Sequence, residues 1–226
     1  MSDKPILFST PMIHALSSGT KTQTRRMLKP QPRPDCVEVA QGDDPWEAFY
    51  EGPLARWGEP ISVPWCVGDR LWVREAWRTK SPAYDDLAPG AMDADYDIAY
   101  EADIILRGGS SCPNGVRMGR YRNARFMPRW ASRLTLIITN VRVQRLLDIT
   151  EADAVAEGFS DGRIDDGFGP RPFGNDGWTI ESGGGFASAA GFFQIAWSTL
   201  HTEWDGFSSP WVAALTFTVE HRNIDA

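Results

Sequence analysis

Three cysteines and three histidines are all that this chain of 226 residues holds of the commonest metal-ligating and redox side chains. Cys36, Cys66 and Cys112 are widely scattered and odd in number, which argues against a disulfide framework and against paired zinc ligands. His14, His201 and His221 are equally dispersed, so a histidine-based metal site is not expected, and no cofactor is called for. No apolar run approaches the roughly 18 residues of a membrane span. The opening Met1-Ser2-Asp3-Lys4-Pro5 lacks the apolar core of a signal peptide. The expectation is a cytoplasmic chain without membrane contact, folded as a single domain over residues 1–226.

Acid is missing from two stretches of a chain whose net charge is −7. Residues 4–33 carry Lys21, Arg25, Arg26, Lys29 and Arg33 but no Asp or Glu. Residues 104–147 carry Arg107, Arg117, Arg120, Arg122, Arg125, Arg129, Arg133, Arg142 and Arg145, again without an acid. Two arrangements fit: one basic face on an acidic body, or acidic stretches that fold back and neutralise the basic ones.

The most concentrated chemistry is Gly19-Thr20-Lys21-Thr22-Gln23-Thr24-Arg25-Arg26. Its Arg and Lys side chains offer donors for phosphate or carboxylate. Lysine is also the base whose pKa falls readily on burial, so Lys21 is a candidate general base. A plain basic loop between a helix and a strand is the competing reading.

In chain order, Ile6-Leu7-Phe8 reads as a short buried strand. Thr10 as N-cap with Pro11 at the first helical position opens a helix, which Gly19 closes. Residues 22–26 read as a strand, with Thr22, Thr24 and Arg26 on one face and Gln23 and Arg25 on the other. Residues 30–60 read as an irregular insertion anchored by its aromatics. A turn at Gly68-Asp69 feeds a strand with Leu71, Val73 and Glu75 on one face and Trp72 and Arg74 on the other. Residues 80–97 read as loop, and Ile98-Ala99-Tyr100 resumes the sheet. The β-branched run 134–143 is strand. Thr150 and Asp153 form a capping box for a helix that Gly158 closes, with Glu157 on its last turn, where the helix dipole disfavours an anion. A Gly-rich insertion at 160–188 precedes a helix over 191–200 and a closing strand over 211–220. The order predicts an α+β fold: a small, partly closed β-barrel with covering helices and long insertions at about 30–60, 80–125 and 160–188.

The helix ending in Gly19-Thr20-Lys21-Thr22 with Thr24-Arg25 after it resembles the opening motif of the ASCH domain family. Val67-Gly68-Asp69-Arg70-Leu71, the passage from Asp148 to Gly158 and the closing strand fit the same family. With Met127-Pro128-Arg129-Trp130-Ala131-Ser132-Arg133, the chain is most similar to the larger ASCH-like proteins of phages and prophages. The resemblance implies a barrel like that of the RNA-binding PUA domains. Small bacterial members remove acetyl from N-acetylated cytidine with a Lys, a Thr three residues on and a Glu at the end of the later helix. Those positions correspond to Lys21, Thr24 and Glu157. This chain is about twice as long as those enzymes, so its substrate is the weaker part of the carry-over.

The expectation is an ASCH-type protein recognising a modified nucleoside or single-stranded nucleic acid, RNA before DNA. Catalysis would be amide hydrolysis on an N4-acetylcytidine-like pyrimidine. The alternatives are a non-catalytic RNA- or DNA-binding module, and a ribonuclease in the same cleft that no histidine pair supports. Arg25, Arg26, Arg74, Arg129 and Arg133 are the candidate anchors for substrate or strand, and Trp72 and Trp130 the candidate stacking platforms.

Overall fold

The computed structural model describes residues 2–42, 46–50, 58–106, 117–159, 188–202, 206 and 208–226. The chain opens with β1 (Asp3–Leu7), α1 (Thr10–Ser17) and β2 (Gln23–Met27). Next come β3 (Cys36–Gln41), β4 (Trp46–Tyr50), β5 (Glu59–Ile61), β6 (Arg70–Arg74), β7 (Trp77–Thr79), β8 (Ile98–Tyr100) and α2 (Glu101–Leu106). It closes with β9 (Thr135–Arg145), α3 (Glu151–Ala156), α4 (Ala189–Leu200) and β10 (Trp211–Glu220). The fold is mixed, mostly sheet with few helices.

Five strands form the main sheet in the order β1-β6-β9-β10-β2. β1 runs parallel to β6, and the other pairings are antiparallel. Among the described residues no ladder joins the edge strands β1 and β2, so the sheet is not a closed barrel. One side chain spans the two edges: the Arg26 guanidinium donates to the Leu7 carbonyl at 2.8 Å.

β10 explains how the sheet is covered. The alternation predicts one buried face, yet Trp211, Val212, Ala213, Ala214 and Leu215 are all buried. Trp211, Ala213, Leu215 and Phe217 join the main core with Leu16, Leu71, Val73, Leu136 and Ile138. Val212 faces the other way and packs with Leu146, Ile149, Ala154, Phe193 and Trp197, where α3 and α4 cover the second face. A central strand between two layers is apolar on both sides, and its small Ala213 and Ala214 leave room for that.

Several local readings change. Ser9, not Thr10, is the extended residue before α1, and Pro11 sits inside the first turn. Proline is tolerated there because the first N–H groups of a helix have no intrahelical partner. The 30–60 segment is not irregular: β3, β4 and β5 form a three-stranded antiparallel sheet. A register slip between Cys36 and Glu38 breaks the period-two pattern that would have revealed it. β8 pairs with β7 in a separate two-stranded sheet, not with the main one. Within 80–97 the chain makes short 3-10 turns. Most of the Gly-rich insertion at 160–188 lies outside the described residues. No helix among the described residues is long and apolar enough to cross a membrane.

Candidate functional site

Gly19, at φ +75, ends α1 and sends the chain into the Lys21 turn. The Lys21 amide donates to the Ala15 carbonyl at 3.0 Å, and the Thr22 amide donates to the Ala156 carbonyl at 2.8 Å. The second bond ties this turn to the end of α3. On the other side, α3 starts with the Thr150 hydroxyl accepting from the Asp153 amide at 3.1 Å. It closes at Gly158, φ +96. A Cβ at Gly158 would lie 3.2 Å from the Ala15 methyl and 3.4 Å from the Lys21 Cβ. Glycine therefore serves there both for its positive φ and for the close approach of two chain segments.

Between these elements lies a buried charge network. Lys21 Nζ donates to the Glu157 carboxylate at 2.7 Å and to the Glu157 carbonyl at 2.8 Å. Arg25 donates to the other Glu157 oxygen at 3.1 Å, to Gln23 at 2.7 Å and to Asp153 at 2.9 Å. Arg142 donates to Asp153 at 2.6 Å. Gln23 and Arg25 share a face of β2, as the strand period requires. The Lys21 side chain over Phe8, 5.7 Å to the ring centre, and Arg25 over Phe193, 5.6 Å, add aromatic faces to the cations.

Burial pushes the Lys21 pKa below the usual lysine value of 10.5. The charge and hydrogen bond of Glu157 oppose that shift, and Arg26 and Arg25 add to it. Burial likewise lowers Arg26, against the pull of Glu157. Burial raises the Asp153 pKa, but the Arg142 hydrogen bond and the Arg25 charge outweigh it and hold the group below 3.8. Four cations, Lys21, Arg25, Arg26 and Arg142, thus face two carboxylates. Arg26 makes no ion pair among the described residues; its guanidinium lies 5.0 Å from the Phe8 ring centre.

A cavity of about 340 Å³ opens beside this network. Phe8, Phe159, Phe193 and Trp197 wall it, with Trp197 stacked on His201 at 4.3 Å. Thr24, Arg25, Arg26 and Glu157 supply its polar side. Thr24 is 3% exposed, and its hydroxyl makes no hydrogen bond to a described residue. Lys21 is 0% exposed and stands behind Glu157 rather than on the cavity wall. The arrangement offers aromatic faces for a planar ring, a hydroxyl at the wall and surplus positive charge for an anion or a developing oxyanion.

The structure brings Lys21 and Glu157 into contact and puts Thr24 and Glu157 on one cavity. Arg25 and Arg26 line that cavity too, whereas Trp72, Arg74, Arg129, Trp130 and Arg133 do not. Arg129 donates to Asp225 at 2.8 Å and to Asp3 at 2.6 Å. Its hydrogen bonds to these two acids raise its pKa. Arg133 grips both Glu75 oxygens, at 2.8 and 3.0 Å, and Asp103 at 2.8 Å. Of the two arrangements the sequence allowed, these arginines take the folded-back one: acids far away in sequence neutralise them. Neither lines the cavity, against the expectation that both border it. Arg74 donates to the Met127 carbonyl at 3.1 Å and lies over Trp72, which is buried. Trp130 donates to the Met92 carbonyl at 3.0 Å. The 67–71 motif has a structural role: Asp69 accepts from the Ser2 amide and hydroxyl, from Lys4 and from the Cys66 amide. Burial raises the Asp69 pKa, but these bonds outweigh it and bring the group down to about 2.

Asp153, Arg142, Gln23 and the aromatic walls are the residues that sequence reasoning missed. In the sequence Asp153 stands out only as a capping residue, and Phe193 and Trp197 only as members of the helix over 191–200. They are core and wall at once, because α4 packs on the sheet beside the cavity. No protein-family model, curated protein or solved structure matches the chain.

Proposed function

We propose that the chain is an ASCH-type protein whose cavity receives the base of a modified pyrimidine nucleoside and hydrolyses an N-acyl group from it. The observation that carries this reading is the contact of Lys21 with Glu157 at 2.7 Å, from motifs 136 positions apart, beside a cavity that both Glu157 and Thr24 line. The link between the edge strands through Arg26 and Leu7 supports a partly closed barrel as the frame.

In this mechanism neutral Lys21 takes the Thr24 proton, relayed by Glu157, and the Thr24 oxygen attacks the acyl carbon. Arg25 or Arg26 steadies the oxyanion. The C–N bond breaks, the amine leaves with the proton that Glu157 returns, and water then hydrolyses the threonine ester. The lowered pKa of Lys21 favours the neutral base. A second reading rests on one observation: Lys21 is wholly buried and off the cavity wall, as in a structural ion pair that only shapes a binding pocket.

Release of free cytidine from N-acetylated cytidine tests the two. Turnover by the wild type that Thr24→Ala abolishes supports hydrolysis. It should rise with pH as Lys21 loses its proton, with a midpoint below 10.5. No product from the wild type leaves the binding reading, and full activity in Thr24→Ala removes the nucleophile.

A further inference from the structure

A strap over residues 117–126 passes beside the cavity, which it meets at Ala124. Its inner side is firmly held. Trp77 and Arg122 exchange backbone hydrogen bonds at 3.1 and 2.9 Å. The Arg122 guanidinium donates to the Leu87 and Tyr84 carbonyls at 2.9 and 2.8 Å and stacks on Trp77. The Asn123 side chain accepts from the Arg125 amide at 3.0 Å and so caps the turn that carries Ala124, a cavity-lining residue.

The outer side is the opposite in character. Arg117, Arg120, Tyr121, Arg125 and Phe126 are all exposed, Tyr121 at 53% and Phe126 at 58%. None of the three outward arginines makes an ion pair among the described residues. Other outward arginines do: Arg33 with Glu59, Arg129 with Asp225, Arg222 with Glu220. Asp85 takes the Arg120 amide at 2.6 Å, not its guanidinium, and its charge weakens the field at that end.

We infer that this strap is a docking surface for single-stranded nucleic acid, laid so that one base enters the neighbouring cavity. Unpaired guanidiniums interleaved with exposed rings match a strand's alternation of phosphates and unstacked bases. A duplex hides its base faces and would meet only the charges. The backbone is already fixed by Arg122 and Trp77, so little ordering is lost on binding. The inference rests on the cavity being the pocket for a base, but not on hydrolysis there.

The test is fluorescence anisotropy of the full chain with a short labelled U-rich RNA, the matching DNA strand and a duplex, over a range of salt. Both single strands should bind more tightly than the duplex, and the tighter of the two names the sugar. The triple change Arg117→Gln, Arg120→Gln, Arg125→Gln should lower the magnitude of the salt slope by about 2, at roughly 0.7 per phosphate. Tyr121→Ala and Phe126→Ala should each weaken binding roughly tenfold. An unchanged slope in the triple variant, or a duplex bound as tightly as a single strand, overturns the inference. Calorimetry with free N-acetylcytidine keeps the cavity separate. Nucleoside binding without strap-dependent strand binding sinks the strap alone. Strap-dependent strand binding without nucleoside turnover sinks the hydrolase alone.

Discussion

Glu157 and Glu75 are both buried carboxylates gripped by arginine, and they differ in what surrounds the grip. Glu157 has Lys21 and Arg25 on its two oxygens, Arg26 nearby and an open cavity at its side. Glu75 has only Arg133, which it shares with Asp103, and it does not line the cavity beside Glu157. One region is cation-rich and borders this cavity; the other is acid-rich and lies off it. Burial raises the Glu75 pKa, and Arg133 only partly offsets it. A buried ion pair by itself is weak evidence of function, since such pairs also occur as plain structure. The surplus charge, the Thr24 hydroxyl without a hydrogen bond among the described residues and the cavity are what separate the first region from the second.

The comparison is broken most directly with hydroxyls. Thr24→Ala should reduce turnover of an acylated nucleoside by roughly 10²-fold or more while leaving stability nearly unchanged, because its hydroxyl bonds to no described residue. Ser132→Ala, beside the second region, should do the reverse. Ser132 bonds the Val73 carbonyl at 2.9 Å, so its loss should cost about 1 kcal/mol and leave turnover alone. Parallel rate assays and urea melts check both. Equal loss of turnover in the two variants would erase the distinction.

Neutralising the carboxylates comes next. Glu157→Gln leaves Lys21 and Arg25 short of counter-charge in the interior and should cost about 3–5 kcal/mol. Glu75→Gln should cost less, about 1–3 kcal/mol, since Arg133 keeps Asp103 and is partly exposed. Urea midpoints at neutral pH rank them, and the reverse order would mean that Glu75 is the more dependent site.

The pH response should differ in sign. Glu75 has a folded pKa above 4.5, so its contribution is present below that value and is lost as pH rises through the folded pKa. Asp153 has a folded pKa below 3.8, so its contribution is present above that value and is lost as pH falls through the folded pKa. The stability difference between wild type and Glu75→Gln should therefore shrink as pH rises from acid. The difference from Asp153→Asn should shrink as pH falls. Slopes of the same sign would show that one carboxylate is held differently from the geometry described.

The smallest effect belongs to Arg129. Its pairs with Asp225 and Asp3 are solvent-screened, so Arg129→Gln should leave the urea midpoint nearly unchanged. It should also leave the salt slope of strand binding unchanged. A slope that falls with Arg129→Gln would place the strand on the paired arginines instead of the strap.

Much of this protein was legible in its sequence, for local reasons. Helix ends at Gly19 and Gly158, the Thr150 cap and strands β9 and β10 follow from the chemistry of a few neighbouring residues, which does not depend on the rest of the chain. The two motifs carrying Lys21, Thr24 and Glu157 were also visible, because such polar groups stand out between apolar elements. Pairing was not visible. Nothing near Arg129 or Arg133 in sequence announces Asp3, Asp225, Glu75 or Asp103, and ion pairs form across space. The β3–β5 sheet was hidden by a register slip that breaks local alternation. The cavity wall was hidden for the same reason as the pairs: Phe193 and Trp197 look like core on a helix, and only the packing of α4 beside β2 leaves space against them. Short-range rules determined where elements begin and end; long-range packing decided which charges are neutralised and which are left facing a cavity.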